Sequence, residues 1–343
     1  MSAEAGYAFD PASYFPRSIY DLMRQLRVAD PIAAYKATQT RQPRKVLAPS
    51  GDLLLLMADE ASRGLEPACT DRHEYLARLL RVLVGGMFDG LVAPPDILEE
   101  LCLAQQIIRE NGGPSFLDGR AVVGLLNAGP GTRRPSAFTV ERAKHLKCDG
   151  VWVRASIDRE GPGSRAPLER IARIIGEANS HSLAVFVQPS RPQMIDAEWE
   201  PVDAARMLAT ASALGETSTR TWLALPTFDG VDRALRSVSL PALACRIGSP
   251  ASDLESLLEA ARQATGPAVG FRGLALGSSI LYRSDDPLAV AGALQTVVRK
   301  DVGIETVLER MDGARGHKLD VLSSLVKDDE VRFEGGVSTA SYV

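Results

Sequence analysis

The chain predicts a (β/α)8 TIM barrel with a helical N-terminal extension and a polar C-terminal tail. Three observations carry this. From Lys45 onward a short apolar run, a polar turn and an amphipathic stretch recur eight times. The apolar runs are continuous rather than alternating, as strands buried on both faces require. The eight units together span roughly 250 residues, the usual size of this barrel. An open doubly wound sheet would begin with a Gly-rich phosphate turn, and "MADEASRG" after the first run is not G-x-G-x-x-G.

The elements follow in order. Residues 12–40 read as helical, with Ile19, Leu22, Leu26 and Val28 on roughly one face and a break at Pro31, so 1–44 forms the extension. The barrel occupies 45–304. Its strand runs are "LLLLMADE" (53–60), "DGLVAPPDI" (89–97), "AVVGLLNAG" (121–129), "GVWVRASID" (150–158), "LAVFVQPS" (183–190), "TWLALPTF" (221–228), "PALACRIGSP" (241–250) and "FRGLALGSSI" (271–280). Each is followed by a helix-like stretch such as "RHEYLARLLRVLV" or "DPLAVAGALQTVVRK". Residues 305–343 are polar without a clear period. They read as a loosely attached tail; the sharper alternative is an arm over a neighbouring subunit or the barrel mouth.

Bulk properties narrow the function. The 343 residues are 45% hydrophobic and 24% charged, with a net charge of −4, ordinary for a soluble globular protein. The acidic balance suits neither a nucleic-acid nor a membrane partner. Cys69, Cys102, Cys148 and Cys245 lie far apart, which argues against a zinc site and suits a reducing cytoplasm. No signal peptide is expected from "MSAEAGYAFDPASYFPRS", and no apolar run is long enough to span a bilayer.

The strand ends resemble a known family. "LLLLMADEASRG" resembles the first-strand motif "IAADHPARG", and "DGLVAPPDILEEL" resembles "DGVLATPDILEDL". "WLALPTF" resembles "WLKLPVV", and "GLALGSSILY" resembles "GLVVGRSLLY". These are motifs of class I aldolase-like barrels, the superfamily of deoxyribose-phosphate, tagatose-bisphosphate and fructose-bisphosphate aldolases. The chain is most similar to actinobacterial members associated with inositol catabolism, from about residue 45 to 290. The resemblance implies a C–C lyase, or a repurposed relative, acting on a phosphorylated sugar or related carbonyl compound. It further implies a homo-oligomer, or a hetero-oligomer with a paralogue. Members use a strand lysine whose imine with the substrate acts as electron sink.

The departures concern that chemistry. The lysine of "WLKLP" falls on Ala224, and a second family lysine, on strand four, falls on Trp152. The histidine after the first-strand aspartate is Glu60, and the fifth-strand glutamate is Gln188. The chain has seven lysines, Lys36, Lys45, Lys144, Lys147, Lys300, Lys318 and Lys327. Of these, only the tail's Lys318 and Lys327 are expected to be able to reach the mouth. An imine mechanism is therefore not expected. The alternative is an inactive aldolase homologue serving as a ligand-binding or partner subunit.

No metal site is expected. His73 and His145 sit on helices, His181 precedes strand five and His317 is in the tail. The strand-end carboxylates Asp59, Glu60, Asp96, Asp158 and Asp229 leave Mg²⁺ as a minor possibility, since Mg²⁺ takes oxygen ligands.

The candidate catalytic residues are Asp59, Glu60 and Arg154. Adjacent strand residues point opposite ways. One of Asp59 and Glu60 should face the lumen as acid or base, and the other should pair with Arg63. Arg154, charged in a buried strand, needs a partner or a ligand: Asp59, or an anionic group. Asn127 and Gln188 suit sugar hydroxyls or, equally, loop carbonyls, and Asp229 is a further candidate to bind the substrate. Gly248 and Ser249 after strand seven, with Gly277, Ser278 and Ser279 after strand eight, suit a phosphate held by backbone N–H groups. Cys245 reads as a small core residue.

Overall fold

The apolar runs form eight parallel strands that close in chain order: β1 Leu53–Met57, β2 Gly90–Ala93, β3 Ala121–Leu125, β4 Gly150–Ser156, β5 Ala184–Ser190, β6 Thr221–Pro226, β7 Ala242–Cys245 and β8 Gly273–Leu276. Strand β8 closes on β1, with Leu53 opposite Gly273 and Leu55 opposite Ala275. The computed structural model describes residues 7–127, 138–157, 165–190, 199–249, 251–300, 302–325 and 333.

Helices return the chain between strands: α4 Arg72–Gly85, α5 Pro95–Glu110, α6 Val140–His145, α7 Arg165–Ser180, α8 Pro201–Ser212, α9 Val231–Leu235, α10 Leu254–Thr265, a short α11 Ser278–Leu281, and α12 Pro287–Arg299. Local chemistry sets their starts. The carboxylates of Asp71, Asp253 and Asp286 accept backbone N–H groups at the N-termini of α4, α10 and α12. Proline opens α5, α8 and α12, where its missing N–H costs nothing.

Alternate residues divide the barrel's interior from its helical wall. Leu53, Leu55 and Met57 belong to the inner cluster, and Leu54 and Leu56 to the cluster under the helices. Trp152, Phe186 and Trp222 lie side by side on β4, β5 and β6. The Trp152 and Phe186 rings stack at 5.5 Å. Ala224 is wholly buried within this inner cluster. It lies two residues beyond Trp222 on the same face of β6, so a larger side chain there adds volume to a packed interior and forces strain.

The N-terminal extension is three helices, α1 Pro11–Tyr14, α2 Arg17–Ala29 and α3 Ala33–Thr40. Ile19, Met23 and Leu26 form the buried face of α2; Val28 is 83% exposed, so it does not share that face as expected. Below the strands, Asp149 accepts Arg41 Nη2 at 3.1 Å and the backbone N–H groups of Arg44 and Val122 at 2.9 Å. Leu47 and Ala48 pack against the inner cluster, so the segment before β1 closes the barrel's lower end.

The expectation of a loosely attached C-terminal tail fails for the described part. Helices α13 Ile304–Asp312 and α14 Asp320–Ser323 pack on the barrel, burying Ile304, Val307, Met311 and Leu322. Ile304, Val307 and Met311 recur at helical spacing that the surrounding charges obscure. Arg81 of α4 donates to Asp286 at 2.6 and 2.9 Å and to the carbonyl of His317 at 2.8 Å. Gly316 N–H donates to the same carboxylate at 3.0 Å. The Lys318 carbonyl also accepts from Arg81, which holds this segment on the outer wall rather than over the mouth. Lys327 lies outside the described residues. No described helix is long and apolar enough to cross a membrane.

Candidate functional site

Strand β1 delivers Met57 to the lumen, so two residues on Asp59 points inward as well. Asp59 and Arg154 meet across the barrel: Arg154 Nη2 donates to Asp59 Oδ2, with both side chains almost fully buried. Arg154 lies in register with Gln188 on β5. Its Nε donates to Gln188 Oε1 at 3.1 Å, and Trp152 Nε1 donates to the same oxygen at 3.0 Å. Gln188 Nε2 in turn reaches Cys245 Sγ at 3.6 Å. The guanidinium is thus oriented by an amide that is itself fixed from both sides.

Asn127 clamps the other end of Arg154. Its Oδ1 accepts the Arg154 N–H and its Nδ2 donates to the Arg154 carbonyl, each at 2.8 Å. The side-chain amide extends the β3–β4 ladder by one rung. By sequence Asn127 and Gln188 suit sugar hydroxyls or main-chain carbonyls equally; the structure sets Asn127 on the Arg154 carbonyl and Gln188 against the side chains of Arg154, Trp152 and Cys245.

The pairing of Arg63 is a correction. Arg63 lies 3.7 Å from Asp59, the lumen-facing carboxylate, not from its neighbour. The 3-10 turn Ala61–Arg63 brings it back toward Asp59, with the Arg63 N–H donating to the Asp59 carbonyl at 3.1 Å. Glu60 points away from the lumen, and Tyr75 O–H of α4 donates to Glu60 Oε2 at 2.8 Å. Burial, reinforced by the Asp59 charge, pushes the Glu60 carboxyl up to about 7, with the Tyr75 hydrogen bond opposing the shift. Nothing in the sequence spacing signals Tyr75, which arrives from the helix behind β1 and stacks on Tyr282.

Glu60 also meets the end of β8. A Cβ at Gly277 would lie 2.3 Å from Glu60 Oε1 and 2.6 Å from the Met57 carbonyl, so only glycine fits there. Gly277 opens α11, with Ser278 half-buried and Ser279 buried. Beyond β7, Gly248 takes a φ of 65°, and Ser249 and Ser252 exchange backbone-to-hydroxyl hydrogen bonds of 3.2 Å. Arg283 fastens this turn by donating to the carbonyls of Ser249 and Ser252. Arg246, at the end of β7, is exposed with a left-handed φ of 58°. Neither arginine stands out in the sequence pattern.

The remaining candidates lie elsewhere. Asp229 occupies an exposed turn before α9, and Asp96 pairs with Arg72 on the outer helices. Asp158 lies outside the described residues. Burial raises the Cys245 thiol to about 12, which suits a core residue rather than a nucleophile. Among the described residues no three of His, Cys, Asp or Glu gather to hold a metal ion. No lysine falls within β1–β8.

The closed eight-stranded barrel and its surrounding helices define a (β/α)8 barrel protein. Within that class, the chain belongs to the Cgl0159-like family, whose model matches residues 51–298. The structure of Cgl0159 from Corynebacterium glutamicum is 24% identical, with 84% of this chain and 98% of that one covered and a TM-score of 0.71. An archaeal fructose-1,6-bisphosphate aldolase, with its catalytic lysine bound to a carbinolamine intermediate, is 20% identical over 77% of this chain and 99% of that one, with a TM-score of 0.55. A fructose-bisphosphate aldolase from Slackia heliotrinireducens is 13% identical over 90% and 97%, with a TM-score of 0.58. At these identities the shared property is the barrel. No curated protein matches the chain.

Proposed function

We propose that this barrel binds a phosphorylated sugar or related carbonyl compound at the C-terminal ends of its strands and acts on it as a C–C lyase or repurposed relative without an imine. The observation that carries this reading is the buried Asp59–Arg154 pair at the strand ends, where barrels of this class place their chemistry. Arg154, oriented by Gln188 and Asn127, is the group to polarise a substrate carbonyl and to stabilise the enolate that forms when the adjacent carbon–carbon bond breaks. A carboxyl group must take the proton from the substrate hydroxyl. Asp59 faces that space, and Glu60 stands behind Gly277. The turns after β7 and β8, with Gly248, Ser249, Gly277, Ser278 and Ser279, are placed to receive the phosphate. Ala224 stands where the resemblance puts the imine-forming lysine, and no strand lysine replaces it.

A second reading is a homologue that binds such a ligand without turnover. The internal engagement of Arg154, Gln188 and Asn127 favours it.

Borohydride reduction in the presence of triose phosphates and ketose phosphates tests the first reading, alongside calorimetric binding and cleavage assays. Saturable binding with turnover and no covalent adduct supports it. Binding without turnover selects the second reading. A reduced lysine adduct overturns the imine-free mechanism.

A further inference from the structure

Helix α13 divides two grooves of opposite character. On one flank, toward α12, lies a groove of about 650 Å³ with a floor including Leu288, Val307 and Met311. Lys300, Arg310 and His317 line it, all exposed, and among the described residues no Asp or Glu does. On the other flank, toward α10, lies a groove of about 610 Å³ lined by Asp253, Glu255, Glu309 and Asp312 among others. Its one basic lining residue, Arg315, is already held by Asp285 and Asp312. The helical period produces this division: at 3.6 residues per turn Glu305, Glu309 and Asp312 share one flank, and Arg310 falls on the other. Val307 and Met311 face inward between them.

We infer that α13 is the centre of an interface between two copies of this chain. The two flanks are complementary to each other, so a second copy supplies the matching partner for both at once. A two-fold axis running along α13 sets each copy's basic groove against the other's acidic flank. An axis in the same face but across α13 would set like charges together. Closed two-fold dimers use one self-complementary patch in this way, and opposed charges fix the register of such a contact. The apolar floor of the basic groove adds area that water leaves on association. The chain's net charge of −4 makes indiscriminate self-association unfavourable, so attraction must come from a local pattern of this kind.

Charge exchange tests the inference. Light scattering on the full chain at low salt should give twice the 36.8 kDa mass of one chain, and the dimer should weaken as salt is added. A basic-groove variant, Lys300→Glu with Arg310→Glu, and an acidic-flank variant, Glu305→Lys with Glu309→Lys, should each be monomeric. An equimolar mixture should recover the dimer, because both halves of the mixed interface regain opposite charges. All four side chains are exposed, and circular dichroism checks that each variant is folded. A monomeric wild-type chain overturns the inference. So does a dimer that both folded variants retain, or a mixture that stays monomeric. A wild-type monomer that instead binds an acidic amphipathic peptide in a manner abolished by Arg310→Glu would assign the groove to a foreign partner.

Discussion

Glu60 is the residue whose environment departs furthest from its local sequence. Its folded value, raised to about 7, lies above the unfolded one. The folded chain therefore holds a proton there that the unfolded chain has released, and stability from this group is complete below the ordinary carboxyl range and lost as pH rises toward about 7. Each pH unit across that interval costs about 1.4 kcal/mol. Urea unfolding of wild type and Glu60→Gln at about pH 5 and about pH 8 reads this, with the variant gaining relative stability at the higher pH. Under the proposed function the same group governs anion binding. A deprotonated Glu60 behind Gly277 repels a phosphate, so affinity for a sugar phosphate should fall above about pH 7, and Glu60→Gln should flatten that profile. Arg154 is coupled to its partner differently. Arg154→Met leaves Asp59 buried with Arg63 as its remaining cation among the described residues, and should cost about 3–5 kcal/mol in chemical denaturation and, under the proposed function, abolish ligand binding.

At the scale of elements, β4, β5 and β6 act as one unit. Trp152, Phe186 and Trp222 share one rung of the inner face, and Ala224, two residues beyond Trp222, is a buried methyl group of the same inner cluster. Enlarging it by Ala224→Leu should destabilise the barrel by about 1–3 kcal/mol, measured as a lower urea midpoint at unchanged slope. The β3–β4 junction depends on Asn127, whose amide makes a rung of the ladder; Asn127→Ala should remove about 1–3 kcal/mol by leaving the Arg154 backbone groups unsatisfied.

For the whole molecule, Arg81 joins elements far apart in sequence. It binds Asp286 at the start of α12, lies over the face of the Tyr14 ring at 5.1 Å from its centroid, and donates to the carbonyls of His317 and Lys318. Arg81→Met should cost about 3–5 kcal/mol, because Asp286 stays buried without its counter-charge. Limited proteolysis should then cut between α13 and α14, where the wild-type chain resists. The N-terminal helices, the barrel and the C-terminal helices thus share one stability.

Eight continuous apolar runs at even spacing determined the barrel, because strands buried on both faces have no other composition and the spacing leaves room for one returning helix each. The alternation of strand residues also determined that Asp59 and Glu60 would part. Which of the two faces inward followed from the face that Met57 takes in the closed sheet, and that Arg63 turns back to the same carboxylate as Arg154 followed from the curl of the turn after β1. Tyr75, Gln188 and Arg283 took their roles from neighbours 15 to 34 residues away. The C-terminal helices escaped the sequence because their apolar residues are few and need the barrel's outer wall to complete a core. Local period and composition specify elements. The partners of a buried charge depend on which elements closure of the sheet brings together, and tertiary structure alone decides that.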